Sequence, residues 1–295
     1  MKNSPRGALL FVLPSFIFIA LFSIVPVIDS FRLSFYRLIL TLPWLGQKRV
    51  GWENYADLLA DPVARDSFWT TLLFIFVTVP LELAFGLGIA LVINQSFHGR
   101  GLLRAVVLVP WAIPTVVSSQ MWRFIFNDRY GLANFVLFGA DTSRYIAALA
   151  DPNHAMLAVM IAEIWKTTPF AALIILAGLQ GLADELYEAA SIDGANALQQ
   201  FWHITLPLLK PALLLALLFR TIDALRVFDL VYVMTQGGPA DATNVLQFYG
   251  YKKTFAEGMV GYGSAIAVTV FLMALALALA YLRAFKTSRL PGGAS

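Results

Sequence analysis

Long apolar runs alternate with shorter polar stretches along the whole chain. Runs at 8–28, 67–93, 105–126, 155–179, 211–235 and 261–281 each reach the roughly 20 residues that a helix needs to cross about 30 Å of hydrocarbon. The pattern predicts an all-α polytopic membrane protein: a single transmembrane domain over 1–295 with six transmembrane helices. The polar segment 180–210 between the fourth and fifth runs has a helical pattern of its own. Asp184 to Ala190 reads as the first turns of a short helix, with Asp184 as its cap and further acids where the helix dipole favours them. Asp193-Gly194 is a turn signal, 195–204 a second short amphipathic piece, and Leu206-Pro207 a stop before the next apolar run. The first run follows Lys2 and Arg6, a start that a signal peptide shares. It is longer than the usual signal core of about 7–15 residues, and no small-residue cleavage site follows promptly, so it is read as a span.

Composition agrees with the pattern. The 295 residues are 59% apolar and 13% charged, against about 25% charged in a soluble domain. The absence of cysteine excludes disulfides, thiolate chemistry and Cys-ligated zinc. His98, His154 and His203 are scattered and form no metal-ligand spacing. A net charge of +3 is too small to point to nucleic acid. No Gly-x-x-x-x-Gly-Lys-Ser/Thr stretch is present, so the chain is expected to hydrolyse no nucleotide itself.

Several features inside the runs demand partners. Glu82, Arg123, Glu163, Lys166, Arg220, Asp223 and Arg226 fall within them, with Asp229 toward an end. Each costs about 2.5–3.5 kcal/mol at mid-bilayer on insertion scales, so each should face the bundle interior or water. Glu163 and Lys166 are three apart, as are Arg220, Asp223, Arg226 and Asp229 in succession, which places opposite charges on one helical face. Arg226 and Asp229 read as structural, near the outer mouth. Pro110 and Pro114 should bend the third run and free carbonyls, tolerable only beside protein or a wet cavity. Gly86 and Gly88 in the second run suit close helix approach.

An even number of spans puts both termini on one side. A raw tally of Lys and Arg does not decide which. The short flanks 1–7, 94–104 and 282–295 are basic and free of acids, and these argue that both termini and 180–210 are cytoplasmic.

Within 180–210, Glu188-Ala189-Ala190, then Gly194, then Ile204, Leu206 and Pro207 resemble the loop by which membrane subunits of binding-protein-dependent ABC importers engage their ATPase. A helix–turn–helix lying on a membrane surface would look similar but would not need all of these positions. Further stretches, Ala162–Phe170, Val233–Pro239 and Tyr249 through Ala265, resemble carbohydrate-uptake permeases of the maltose, trehalose and glycerol-phosphate type. Leu217–Asp229 is most similar to the first permease of trehalose importers, and Gly51-Trp52-Glu53-Asn54-Tyr55 to a stretch before the second span of sugar permeases. The likeness implies a bacterial or archaeal cytoplasmic-membrane subunit, pairing with a homologous second permease, a dimer of ATPase subunits and an extracytoplasmic sugar-binding protein. It implies no cofactor in this subunit, with ATP and Mg on the partner ATPase. Glu188, Ala189, Ala190, Gly194, Ile204, Leu206 and Pro207 would couple to that ATPase.

Within this reading, Glu163 and Asp223 are candidate acceptors for sugar hydroxyls, and Trp165, Phe170 and Phe228 candidate rings for the apolar face of a pyranose. The alternative, that these charges only lock helix to helix, stays open. A glycerol phosphate or other polar small solute is the alternative cargo. A permease for amino acids, phosphate or metal, a secondary transporter and a membrane enzyme are the remaining rivals. The last two lack the inverted repeats or the nucleophile–base sets they would need.

Overall fold

In a computed structural model, described over residues 5–288, the chain is built almost entirely of helices. Lys2 and Arg289, two charges of the basic flanks, lie outside the described residues. The elements in order are α1 (Pro5–Ile19), α2 (Val25–Leu33), β1 (Tyr36–Arg37), β2 (Lys48–Arg49), α3 (Glu53–Ala60), α4 (Pro62–Asn94), α5 (Arg100–Ala112), α6 (Thr115–Ile125) and α7 (Leu132–Phe138). They continue as α8 (Pro152–Leu179), α9 (Asp184–Ile192), α10 (Ala197–Gln200), α11 (Leu206–Leu225), α12 (Asp229–Met234), α13 (Leu246–Tyr251) and α14 (Val260–Ser288). Among the described residues five helices are long and apolar enough to cross a bilayer, and the bent pair α5–α6 brings the number to six. The protein is thus an all-α polytopic membrane protein.

The helices differ from the expected runs in three places. The run 8–28 continues to Leu33, because a π-turn at Ala20–Ile24 passes the chain from α1 into α2 without a break. The run 105–126 is two helices meeting at 90°: Ile113 and Pro114 are both extended, and Pro114 stands just before α6. The run 211–235 starts earlier and ends earlier, since Ala197–Leu225 is one continuous helical stretch and the helix is lost at Arg226–Phe228 before α12. Leu206-Pro207 therefore does not stop a helix. A π-turn at Phe201–Thr205, closed by the Leu206 amide on Phe201 O, precedes Pro207, and this widened turn carries the helix past a residue that lacks an N–H.

The chain falls into two compact units. One comprises 1–65 and 249–272. Its hairpin pairs Tyr36 with Arg49 and Arg37 with Lys48, and Asn54 Nδ2 holds the carbonyls of Ser34 and Tyr36 at 2.7 and 3.0 Å. Asp61 is its polar hub, accepting hydrogen bonds from the hydroxyls of Tyr249 and Tyr262 and from the Val63 amide at 2.9 Å. Partial burial raises the Asp61 pKa, but hydrogen bonds to the ionised form from both tyrosines and from the Val63 and Ala64 amides outweigh it and leave the carboxyl below its ordinary value. In α1 and α2 the side chains from 12 to 33 include none that is buried.

The other unit comprises 66–248 and 273–295. Its apolar core joins α4, α8 and α11 through Ala90, Ile93, Ile175, Leu179 and Leu209. Small residues set the spacing: a Cβ on Gly86 would lie 3.1 Å from Ala171 Cβ, and one on Gly178 2.4 Å from Ala212 Cβ. Gly88 faces open space and plays no such part. The basic link after α4 has a local task, since Arg100 Nε and Arg104 Nη2 donate to the Ile93 carbonyl at 2.9 and 3.2 Å and so satisfy the end of the helix.

Candidate functional site

Three helices of the larger unit contribute to one buried charge cluster. Arg220, on α11, is 3% exposed. Its Nε donates to Glu82 Oε2 of α4 at 2.6 Å, its Nη2 to Glu163 Oε1 of α8 at 2.9 Å, and its Nη1 to Asp223 Oδ2 at 3.3 Å. The three carboxylates differ in commitment. Glu82 is fully buried and its Oε1 has no partner. The Glu163 side chain is 9% exposed, whereas that of Asp223 is 57% exposed and holds Arg220 only at the longest of the three distances. Asp223 therefore keeps accepting capacity for another donor.

The cluster opens on a cavity of about 530 Å³. Glu163, Lys166, Arg220 and Asp223 line it together with the α5–α6 elbow (Trp111 to Thr115) and the α11–α12 break (Arg226 to Asp229). Both interruptions of helix in this unit's spans thus face the polar cavity, where freed backbone groups can find partners. The Ile113 carbonyl at the elbow accepts from Lys166 Nζ at 2.6 Å.

Of the path residues expected from sequence, Glu163, Asp223 and Phe228 meet in this cavity. Trp165 does not. It lines a separate apolar groove of about 710 Å³ and packs edge-on against Trp122 at 5.6 Å. Two residues from Glu163 is about 200° around the helix, so the two side chains leave α8 in nearly opposite directions. Phe170 is stacked on Trp111 at 5.7 Å and meets Phe219 edge-on at 6.2 Å, so its ring is already engaged. Trp111 itself, which lines the cavity and is 47% exposed, is the ring that sequence reasoning missed; its place between Pro110 and Pro114 was the available signal. The expected Glu163–Lys166 pair is replaced by Glu163–Arg220 and Lys166–Ile113. Arg226 and Asp229 leave the helical face their spacing implied, because α11 ends at Leu225, and both line the cavity beside Asp223.

The second candidate site lies at α9. Ala183, not Asp184, is its N-cap, and Asp184 and Glu185 occupy the first turn. Gly194 has φ +83°. Its amide donates to Ser191 O at 3.1 Å and the Ala195 amide to Ala190 O at 2.9 Å, the two bonds of a Schellman stop that needs a left-handed residue. Asn196 and Gln199 then form a capping box for α10, and Tyr187 Oη meets Thr205 Oγ1 at 3.0 Å, tying α9 to the following helix. Glu188, Ala189, Gly194 and Pro207 are exposed, while Ala190, Ile204 and Leu206 are half-buried. Ile192 is 87% exposed at the tip of this bend.

Among the described residues no group of three His, Asp or Glu side chains is placed to hold a metal ion.

Comparison with known proteins identifies the family. The family model described as "Binding-protein-dependent transport system inner membrane component" matches residues 82–289. The chain is 42% identical over 280 residues to a trehalose/maltose transport system permease protein of Thermococcus litoralis, covering 95% of this chain and 94% of that one. It is 40% identical to a sulfoquinovosyl glycerol transport system permease protein of Agrobacterium fabrum, over 95% of this chain and 90% of the relative. Among solved structures it superposes on a chain of a bacterial alginate ABC transporter with TM-score 0.79, at 21% identity, over 95% of this chain and 94% of that one.

Proposed function

The chain belongs to the family of binding-protein-dependent transport system inner membrane components, and from that premise we propose that it forms half of the translocation path for a neutral di- or oligosaccharide of the trehalose or maltose kind. At the level of the family it is a transport permease subunit of an ABC importer for a polar, sugar-like solute, and not an enzyme.

The observation that carries the finer reading is the enclosure of Arg220 by acids. All three of its guanidinium nitrogens are engaged by carboxylates, and three carboxylates around one guanidinium leave surroundings that disfavour an anion. A neutral polyol can use the spare lone pairs of Asp223 and the exposed side of Trp111, whose ring stacks on Phe170; the Phe228 ring lines the same cavity while stacked on Tyr232 at 5.4 Å. The relatives named for trehalose/maltose and for sulfoquinovosyl glycerol transport both support a glycosidic solute, and the first supports a neutral one. A glycerol phosphate would meet Glu163 and Asp223 around Arg220 and would have to rely on Lys166 and Arg226. Cargo reaches such a cavity from an extracytoplasmic binding protein, and the second wall comes from a homologous permease.

Glu188, Ala189, Ala190 and Gly194 support a coupling role for α9. Their exposed face and the exposed Ile192 suit a cleft on an ATPase subunit, two copies of which would bind ATP and Mg. In this reading α9 and both termini are cytoplasmic. Closure of the ATPase dimer pushes α9, and the Tyr187–Thr205 contact passes the push to α11, which carries Arg220 and Asp223.

The test is ATPase activity of the reconstituted complex, with its binding protein, against trehalose, maltose and glycerol 3-phosphate. Stimulation by a disaccharide and none by the phosphate is expected. Stimulation by the phosphate alone would overturn the neutral-sugar reading.

A further inference from the structure

Lys166 is a buried cation, 7% exposed, that makes its short contact with a backbone carbonyl rather than a carboxylate. Its Nζ donates to Ile113 O at 2.6 Å, across 53 residues of sequence. That carbonyl is one of those the elbow leaves open. α5 ends at Ala112, Pro114 follows Ile113, and α6 sets off from Thr115 at 90°. A carbonyl past the end of a helix has no partner within it, and inside a bilayer no water replaces one unless a cavity supplies it. Lys166 supplies that partner from α8.

We propose that Lys166 is a positioning residue of the transport path: its ammonium group pins the Ile113 carbonyl, fixes the α5–α6 elbow, and so sets the cavity wall that carries Trp111 and Thr115. The inference rests on the reading of this cavity as the solute path. Lys166 lines the same cavity, and an ammonium group has three N–H donors. A solute oxygen entering the cavity therefore meets the group that holds the elbow, which links occupancy to the position of the wall. This assigns the intramembrane Lys166 a task that an ion pair with Glu163 would not perform, since Glu163 is spent on Arg220.

The experiment uses the complete importer in liposomes. The chain has no cysteine of its own, so Thr115→Cys gives one thiol in this subunit at the start of α6. Its alkylation rate by a water-soluble maleimide reads the elbow, and the half-saturating solute concentration for uptake reads the path. Lys166→Met should change the alkylation rate and raise half-saturation, each by roughly tenfold, as expected for loss of a charged donor. Lys166→Arg, which keeps a charged donor, should stay within about threefold of the parent on the same scale. An alkylation rate in Lys166→Met equal to the parent's overturns the pin, as does a Lys166→Arg variant altered as much as Lys166→Met. A changed alkylation rate with unchanged half-saturation leaves the pin standing and sinks the cavity as solute path. Should Lys166→Met fail to insert, Lys166→Gln is used; it is polar but one bond shorter and should release the elbow too, and parent-like alkylation there overturns the pin.

Discussion

Arg220 presents its donors in one plane, and the fold brings a carboxylate to each nitrogen from three positions far apart in sequence. Paired this way, a buried arginine is tolerated; replacing Arg220 itself would leave Glu82 and Glu163 as uncompensated buried charges, which costs about 3–5 kcal/mol. Glu82 and Glu163 are therefore best understood as the fixed part of the cluster. Asp223, with its exposed side chain and long contact to Arg220, is the part left to accept from another donor. Asp223→Asn keeps the volume and should leave assembly intact while reducing solute uptake on the order of tenfold or more, the range for a hydrogen bond to a charged group. Radiolabelled uptake by vesicles with matched amounts of complex is the measurement, and parental kinetics would remove Asp223 from the path. Glu163 and Asp223, named from the sequence, share one cavity with Phe228, because a charge inside an apolar run has few places to go. The sequence could not show that Trp165 turns away from them.

α9 is a short element whose shape is set locally. Acids in its first turn, a Schellman stop at Gly194 and a capping box directly after it fix both its length and the angle at which the chain leaves. Nothing crowds Gly194, whose added Cβ would meet no atom within 4 Å; only the left-handed backbone excludes other residues, at a cost of about 1–2 kcal/mol. Gly194→Val should thus spare assembly but misdirect α9, so that ATP hydrolysis persists while uptake falls. The ratio of solute moved to ATP hydrolysed measures this, and an unchanged ratio would count against coupling through α9. In the smaller unit, Asp61 joins the start of α4 to α13 and α14 through Tyr249 and Tyr262. Its folded-state pKa is depressed below 3.8, so its stabilisation is present above that value and fades as pH falls through the lower folded value. Asp61→Asn should lower stability by about 1–3 kcal/mol at neutral pH and flatten the acid limb of a melting-temperature profile. Identical profiles for parent and variant would exclude Asp61 as the hub.

At the scale of the whole molecule, the proposed topology has α9 and the termini on the cytoplasmic side and the hairpin β1–β2 on the other. The absence of native cysteine makes this directly measurable. Trp44→Cys should be labelled by an impermeant thiol reagent added to intact cells, and Ile192→Cys only after permeabilisation; both residues are largely exposed, at 76% and 87%. The reverse pattern would invert the topology and with it the role of α9. The number of apolar runs, the helical class and the bend at α9 were legible in the sequence, because length, hydropathy and the caps of one short helix are properties of neighbouring residues. The missing N–H groups of Pro110 and Pro114 likewise predicted a bend there, though not one of 90°. What only the tertiary structure decided is which distant groups meet: Arg220 with Glu82 across 138 residues, Lys166 with the Ile113 carbonyl, Trp111 with Phe170. A span of local sequence states that a charge or a carbonyl needs a partner, since hydrocarbon offers none. The helices packed around it determine which partner it finds.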